Sequence, residues 1–173
     1  VVANPPYMGS KYFDGILKRY VASEYPESKA DLFACFITRC FILTKPTGVN
    51  GMVTMQSWMF LSTFEELRDL ILKKSFISTM THLGERAFDT IGGAVVSTTA
   101  FVLDKNTVTP SLGVFIRLID GGSEAEKSKI LIVDYHRVET AEIFSSSVTS
   151  MYFSTDESCL CPDQEQRSRR LQN

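Results

Sequence analysis

No apolar stretch approaches the roughly 18 residues that a bilayer-crossing helix needs, so no membrane span is expected. The opening Val1-Val2-Ala3-Asn4 has no charged leader and no apolar run behind it, unlike a secretory signal. Four cysteines in 173 residues are too few for a disulfide scaffold, and a reduced, cytoplasmic setting is expected. Only two histidines occur, His82 and His136, and no Ser-His-Asp or Cys-His arrangement accompanies them, which argues against a hydrolase. With Cys159-x-Cys161 they match no common zinc spacing, so no metal is expected. Basic charge is also short. Lys and Arg number 18 against 20 Asp and Glu, a net charge of -2, so most of any nucleic-acid-binding surface must lie elsewhere. No internal repeat is present.

What remains is a globular composition, 44% hydrophobic and 22% charged, which excludes disorder over most of the length. Val1-Val2-Ala3 reads as a strand. A polar stretch holding Lys11, Asp14, Lys18 and Arg19 follows, and residues 28–31 open a helix in which Asp31 caps or contacts substrate, capping being preferred. Leu32, Phe33, Phe36, Ile37, Cys40 and Phe41 recur at helical spacing, and Lys45-Pro46-Thr47-Gly48 ends the run. Cys35 and Cys40 read as small buried hydrophobes on that helix. Residues 51–55 read as a buried strand followed by a polar lip, Gln56-Ser57-Trp58, with Trp58 more simply core than cleft. Ser62-Thr63-Phe64-Glu65 has the form of a capping box ahead of a helix carrying Leu67, Leu70 and Ile71.

Residues 76–83 and 95–103 are β-rich and flank a loop at 84–93. Strand, helix, strand, helix, strand, strand is the order of an open α/β sheet with a parallel crossover. Residues 112–119 and 130–135 are expected to add a hairpin. Three regions follow: 1–104 as the main unit, 105–144 as added strands, and 145–173 as a polar tail expected to be disordered.

Chemistry concentrates at Asn4-Pro5-Pro6-Tyr7, an NPPY motif directly after the first strand. A match of this kind arises by chance in about one chain in a few hundred of this length, given ordinary proline usage. The lone pair of an aromatic amino group is delocalised into its ring and is a poor nucleophile. Two acceptors on its two N–H bonds pull the nitrogen toward tetrahedral geometry and localise that pair. The Asn4 side-chain oxygen and the Pro5 carbonyl are suited to this, because proline fixes φ and brings no competing N–H. Tyr7 offers a flat face for stacking a base, which in a duplex must first be flipped out. A rigid turn that merely ends the strand is the simpler alternative.

This stretch resembles the catalytic half of amino-group DNA methyltransferases that use S-adenosylmethionine to modify adenine at N6. Further landmarks resemble the same family in order: the helix Asp31-Leu32-Phe33-Ala34-Cys35-Phe36, the run from Lys45-Pro46 to Gln56-Ser57-Trp58, and the loop Gly84-Glu85-Arg86-Ala87-Phe88. The string Asn4 to Lys11, with Arg86 to Gly93 and Thr98 to Leu103, is similar to the PglX-type adenine methyltransferases of BREX phage-defence systems. The likeness covers about residues 1–104. It implies a fold, the C-terminal half of a Rossmann-like S-adenosylmethionine-dependent methyltransferase sheet with an added hairpin. By the same likeness Asn4, Pro5, Pro6 and Tyr7 are catalytic, and Tyr7 and Phe88 stack the target base. Pro6 and Phe36 then border the cofactor, S-adenosylmethionine, and the substrate is DNA.

The departures matter too. In the family a Gly-rich cofactor loop precedes the tetrapeptide, and in a permuted class it follows. No Phe-x-Gly-x-Gly occurs after residue 7, and Gly92-Gly93 has no helix start behind it. The chain is therefore expected to be a fragment with half a cofactor pocket, inactive alone, whose parent serves in phage defence or restriction-modification, alone or with other subunits of a defence system. Two other readings stay open. One is methylation of a glutamine amide or an RNA guanine amino group by the same tetrapeptide, the other a non-catalytic interaction module.

Overall fold

The apolar opening does form a strand. In a computed structural model of the chain, which describes residues 1–88, 96–105, 113–133 and 139–141, β1 (Val2–Ala3) pairs in parallel with β2 (Val49–Met55). Val2 lies opposite Gly51 and Ala3 opposite Met52. The Val1 ammonium donates to the Val49 carbonyl at 2.8 Å, and Gly51 N–H donates back to the Val1 carbonyl at 2.9 Å.

Between these strands run two helices, α1 (Gly15–Glu24) and α2 (Leu32–Leu43). The first was hidden in the polar stretch. Asp14 caps it by accepting from Leu17 N–H at 2.7 Å, and Leu17 and Val21, one turn apart, reach inward to Cys35. So narrow an apolar stripe leaves Lys18 and Arg19 exposed. In α2, seven of 12 residues are buried, so more than half its surface packs against the protein. Its C-terminal carbonyls are satisfied from outside: Lys105 Nζ donates to the Phe41 and Thr44 carbonyls at 3.1 and 2.9 Å, placing a cation at the negative end of the dipole.

Beyond β2 come α3 (Glu65–Lys74), β3 (Phe76–Gly84), β4 (Thr98–Asp104), β5 (Gly113–Arg117), α4 (Glu124–Val133) and β6 (Glu139–Ala141). The six strands lie in the order β1-β2-β4-β3-β5-β6. β4 is antiparallel to β2 and β3, and β6 to β5, so β1, β2, β3 and β5 share one direction. One face of this sheet supplies Met52, Met80, Phe101 and Leu103 to a core completed by Phe33 and Ile37 of α2 and Leu67 and Ile71 of α3. Each such buried side chain contributes roughly 1.5–3 kcal/mol of apolar burial.

Two local expectations are corrected. Ser62 makes no capping box: residues 62–64 wind as a 3-10 turn, and Glu65 N–H donates to the Ser62 carbonyl instead of its hydroxyl. The backbone acceptor won that competition. The capping interaction occurs later, where Glu126 N–H donates to Ser123 Oγ at 3.2 Å and the Glu126 carboxylate accepts from Gly122 N–H at 2.8 Å.

That cap starts α4, so residues 130–133 are helical where a strand was expected. The expected hairpin does not form: β5 lies between β3, parallel, and β6, antiparallel, and α4 lies between β5 and β6 in the chain. Short apolar runs such as Ile130-Leu131-Ile132-Val133 do not distinguish strand from helix, and the acidic first turn with its cap decided it. The expected tail at 145–173 lies outside the described residues.

Candidate active site

β1, β2 and β3 all end at one edge of the sheet. In open α/β sheets, ligands bind at the carboxyl ends of parallel strands. The NPPY motif leaves β1 at this edge. Asn4 and Pro6 are exposed, Pro5 is buried and Tyr7 half-buried, so one proline anchors the corner while the polar side chain faces outward.

Tyr7 stands edge-on to Phe33 of α2, ring centroids 6.1 Å apart, and Phe33 in turn contacts Phe64 at 5.6 Å. A T-shaped contact of this kind fixes a ring plane. Burial pushes the Tyr7 phenol above its ordinary value, so it remains neutral at physiological pH.

The corner is fixed just beyond Tyr7 as well. Leu32 N–H donates to the Met8 carbonyl at 2.9 Å, Ser10 N–H to the Ala30 carbonyl at 2.9 Å, and Met8 N–H to Asp31 Oδ1 at 3.1 Å. The same Asp31 oxygen accepts from Phe33 N–H at 3.2 Å, which confirms Asp31 as the cap of α2. Burial pushes the Asp31 carboxyl above its usual range, and backbone donors from Phe33, Met8 and Leu32 pull partly against it.

Phe36, one turn along α2 from Phe33, is 37% exposed while Phe33, Ala34, Cys35 and Ile37 are buried. It is therefore not a core aromatic. Phe88 follows β3 and is 38% exposed. The loop reaches it through two left-handed residues, Gly84 at φ +66° and Arg86 at φ +53°, with Ala87 tucked in. Gly84 is required on two counts, because a Cβ there would also lie 2.9 Å from Ile119 Cγ2. Lys11 lies over the Tyr12 ring at 4.8 Å, so this cation is occupied locally.

The lip after β2 is more built than its sequence suggested. Residues 56–59 form a 3-10 turn, and Trp58 is fully buried, its indole donating to Thr54 Oγ1 at 3.1 Å. Trp58 is core. Arg68, fully buried in α3, donates to the Trp58 and Leu61 carbonyls at 2.9 and 2.7 Å and holds the lip from beneath.

His82 in β3 donates from Nε2 to Gln56 Oε1, joining the lip to the strand that carries the Phe88 loop. Burial first, then Arg117 and Lys127, push the His82 pKa below its ordinary value, so the ring is neutral at pH 7. Sequence reasoning missed both Arg68 and the Gln56–His82 pair. A lone arginine on an amphipathic helix carries no signal of burial, and residues 26 positions apart meet only through the sheet.

The same arrangement of strands and helices occurs in solved proteins. A nuclease-deletion mutant of the Type ISP restriction-modification enzyme LlaGI, in complex with a DNA substrate mimic, superposes with a TM-score of 0.63 at 17% identity, over 86% of this chain and 17% of that one. A putative class I S-adenosylmethionine-dependent methyltransferase from Listeria monocytogenes gives 0.54 at 17% identity, over 76% of this chain and 40% of that one. Strand order and these likenesses define a mixed α/β sheet of the Rossmann-like kind found in these structures.

The chain belongs to the Eco57I restriction-modification methylase family, which matches residues 1–88. It is 49% identical over 131 residues to the adenine-specific methyltransferase BrxX of Escherichia coli O9:H4 (strain HS). It is 45% identical over 131 residues to the adenine-specific methyltransferase PglX of Lacticaseibacillus casei (strain Zhang). Each alignment takes in 76% of this chain but 11% of the relative, so the chain spans about a tenth of the length of these proteins.

Proposed function

We propose that the chain is part of an adenine-specific DNA methyltransferase, which moves a methyl group from S-adenosylmethionine to adenine N6 in duplex DNA after flipping the base. The observation that carries this reading is the exposed Asn4 on a corner held at both ends, between β1 and the hydrogen bonds of residues 8–10 to residues 30–32. The names of the relatives support adenine as the acceptor and restriction-modification as a setting; BREX-type phage defence in the cytoplasm, with further subunits of such a system as partners, belongs to the same proposal.

The chemistry assigned to this chain is the preparation of the nucleophile. Asn4 Oδ1 and the Pro5 carbonyl each accept one N–H of the amino group and draw its lone pair out of conjugation. Acceptors held before the substrate arrives need no reorganisation at the moment of reaction. Both are too weakly basic to remove a proton, so they orient N6, and the proton leaves to solvent once N6 carries the methyl. Tyr7, braced on Phe33, stacks one face of the base and Phe88 the other. Phe36 and Pro6 fit one wall of a cofactor pocket, because each leaves apolar surface exposed. S-adenosylmethionine supplies a methyl carbon activated by its sulfonium.

The test is a panel of methyl acceptors given to the full-length enzyme: duplex DNA, RNA and a glutamine-bearing release-factor-like protein. N6-methyladenine in the DNA alone is the expected product. Methyl groups on RNA guanine or glutamine, with none on adenine, would overturn the reading.

A further inference from the structure

We infer that Asp31 is the positioning residue of the acceptor corner: its Oδ1, shared between Met8 N–H and Phe33 N–H, sets where Asn4 and the Pro5 carbonyl stand relative to α2. This rests on the function proposed above. The geometry goes beyond helix capping. A cap needs only the amide of its own helix, here Phe33 N–H at 3.2 Å, yet the same oxygen also takes Met8 N–H at 3.1 Å, 23 residues earlier.

Met8 follows Tyr7 directly, and its carbonyl accepts from Leu32 N–H at 2.9 Å. Both polar groups of the Met8 backbone are thus held by the first residues of α2, and Gly9 forms an isolated antiparallel bridge with Asp31. The other end of the corner is pinned by β1 on β2. Four residues, 4–7, span between two fixed points, and two of them are prolines with restricted φ. Removing the carboxylate loosens one of those points, leaving it only the backbone bonds of Met8 and Ser10 to Leu32 and Ala30.

α2 also carries Phe33, on which Tyr7 rests, and Phe36, the proposed cofactor wall. One oxygen therefore couples three parts of the site: the amino-group acceptors, the stacking ring and the cofactor aromatic. A shift of about 1 Å in such a coupling costs on the order of a hundredfold in rate.

The full-length enzyme provides the test, with Asn4→Ala as the check on the underlying reading. If the wild type methylates adenine and Asn4→Ala does not, the reading stands, and Asp31 is judged separately. Asp31→Ala should lower kcat about a hundredfold with little change in KM for DNA. Asp31→Asn, which keeps an acceptor oxygen, should restore kcat to within a few-fold. Amide hydrogen exchange gives a second readout independent of activity: Met8 N–H should be protected in the wild type and Asp31→Asn, and should exchange faster in Asp31→Ala. An unchanged kcat in Asp31→Ala overturns the inference, as does an equal loss in both variants or an unprotected Met8 amide in the wild type. Should Asp31→Ala fail to fold, kcat of Asp31→Asn and the wild-type exchange at Met8 decide the matter.

Discussion

Pro5 is buried and Pro6 is exposed, and that difference between adjacent identical residues shows how the corner is made. One ring anchors the turn in the protein, while the other presents an apolar surface at the sheet edge. Asn4, one residue past the end of β1, inherits its position from the strand register rather than from its own contacts. Tyr7 is half in the core and half out, a compromise that only an aromatic with one polar tip satisfies cheaply.

Residue-scale energetics also explain why the Cys35 thiol stays protonated at neutral pH. Burial pushes the Cys35 thiol up to about 11, and its Sγ donates to the Ser28 and Asp31 carbonyls at 3.3 and 3.4 Å. The unfolded thiol ionises near its ordinary value of 9.0, below the folded one. The stability that Cys35 contributes is therefore complete below pH 9 and is lost as pH rises through about 11. Urea midpoints of the full-length protein should fall between pH 8 and 10.5, and the fall should be smaller in Cys35→Ala. An identical fall in both proteins would contradict this assignment.

The elements divide into those that sequence alone reveals and those that need the third dimension. α2 was legible because its apolar residues cover a broad face and Asp31 caps it; β2, β3 and β4 were legible as β-rich runs between turn residues. α1 escaped because only Leu17 and Val21 mark its buried side, and α4 because Ile130-Leu131-Ile132-Val133 satisfies either periodicity. The NPPY corner and the aromatics Phe36 and Phe88 were visible as residues. That the corner leaves β1 where β2 and β3 also end was visible only as a consequence of strand order, and the support of the lip by Arg68 and His82 was not visible at all.

The loop after β3 shows what an element must do to take part in the site. β3 lies three positions from β1 in the sheet, roughly 14 Å at ordinary strand spacing. From Gly84 to Phe88 the loop turns through two left-handed residues rather than running extended. Its direction depends on the left-handed Gly84. Gly84→Ala should lower stability by about 1–3 kcal/mol, from the φ penalty and the close approach to Ile119. A thermal or chemical denaturation midpoint equal to the wild type would contradict the account of this turn.

At the scale of the whole molecule, a mixed sheet lines up the carboxyl ends of β1, β2, β3 and β5, and the exposed Asn4 follows the first of them. With 18 basic and 20 acidic residues, this segment brings little electrostatic attraction for DNA. Its proposed contribution is local, to seize a flipped base and ready its amino nitrogen, and the two curated relatives are about seven times as long as this chain.

Single-turnover methyl transfer by the full-length enzyme and its Asn4→Ala form, measured alongside DNA affinity and melting temperature, probes that contribution most directly. Losing one preorganised acceptor should slow transfer at least a few hundredfold, while affinity and melting stay near wild-type values. Transfer by Asn4→Ala at the wild-type rate would mean that the nitrogen is made nucleophilic by something other than this corner.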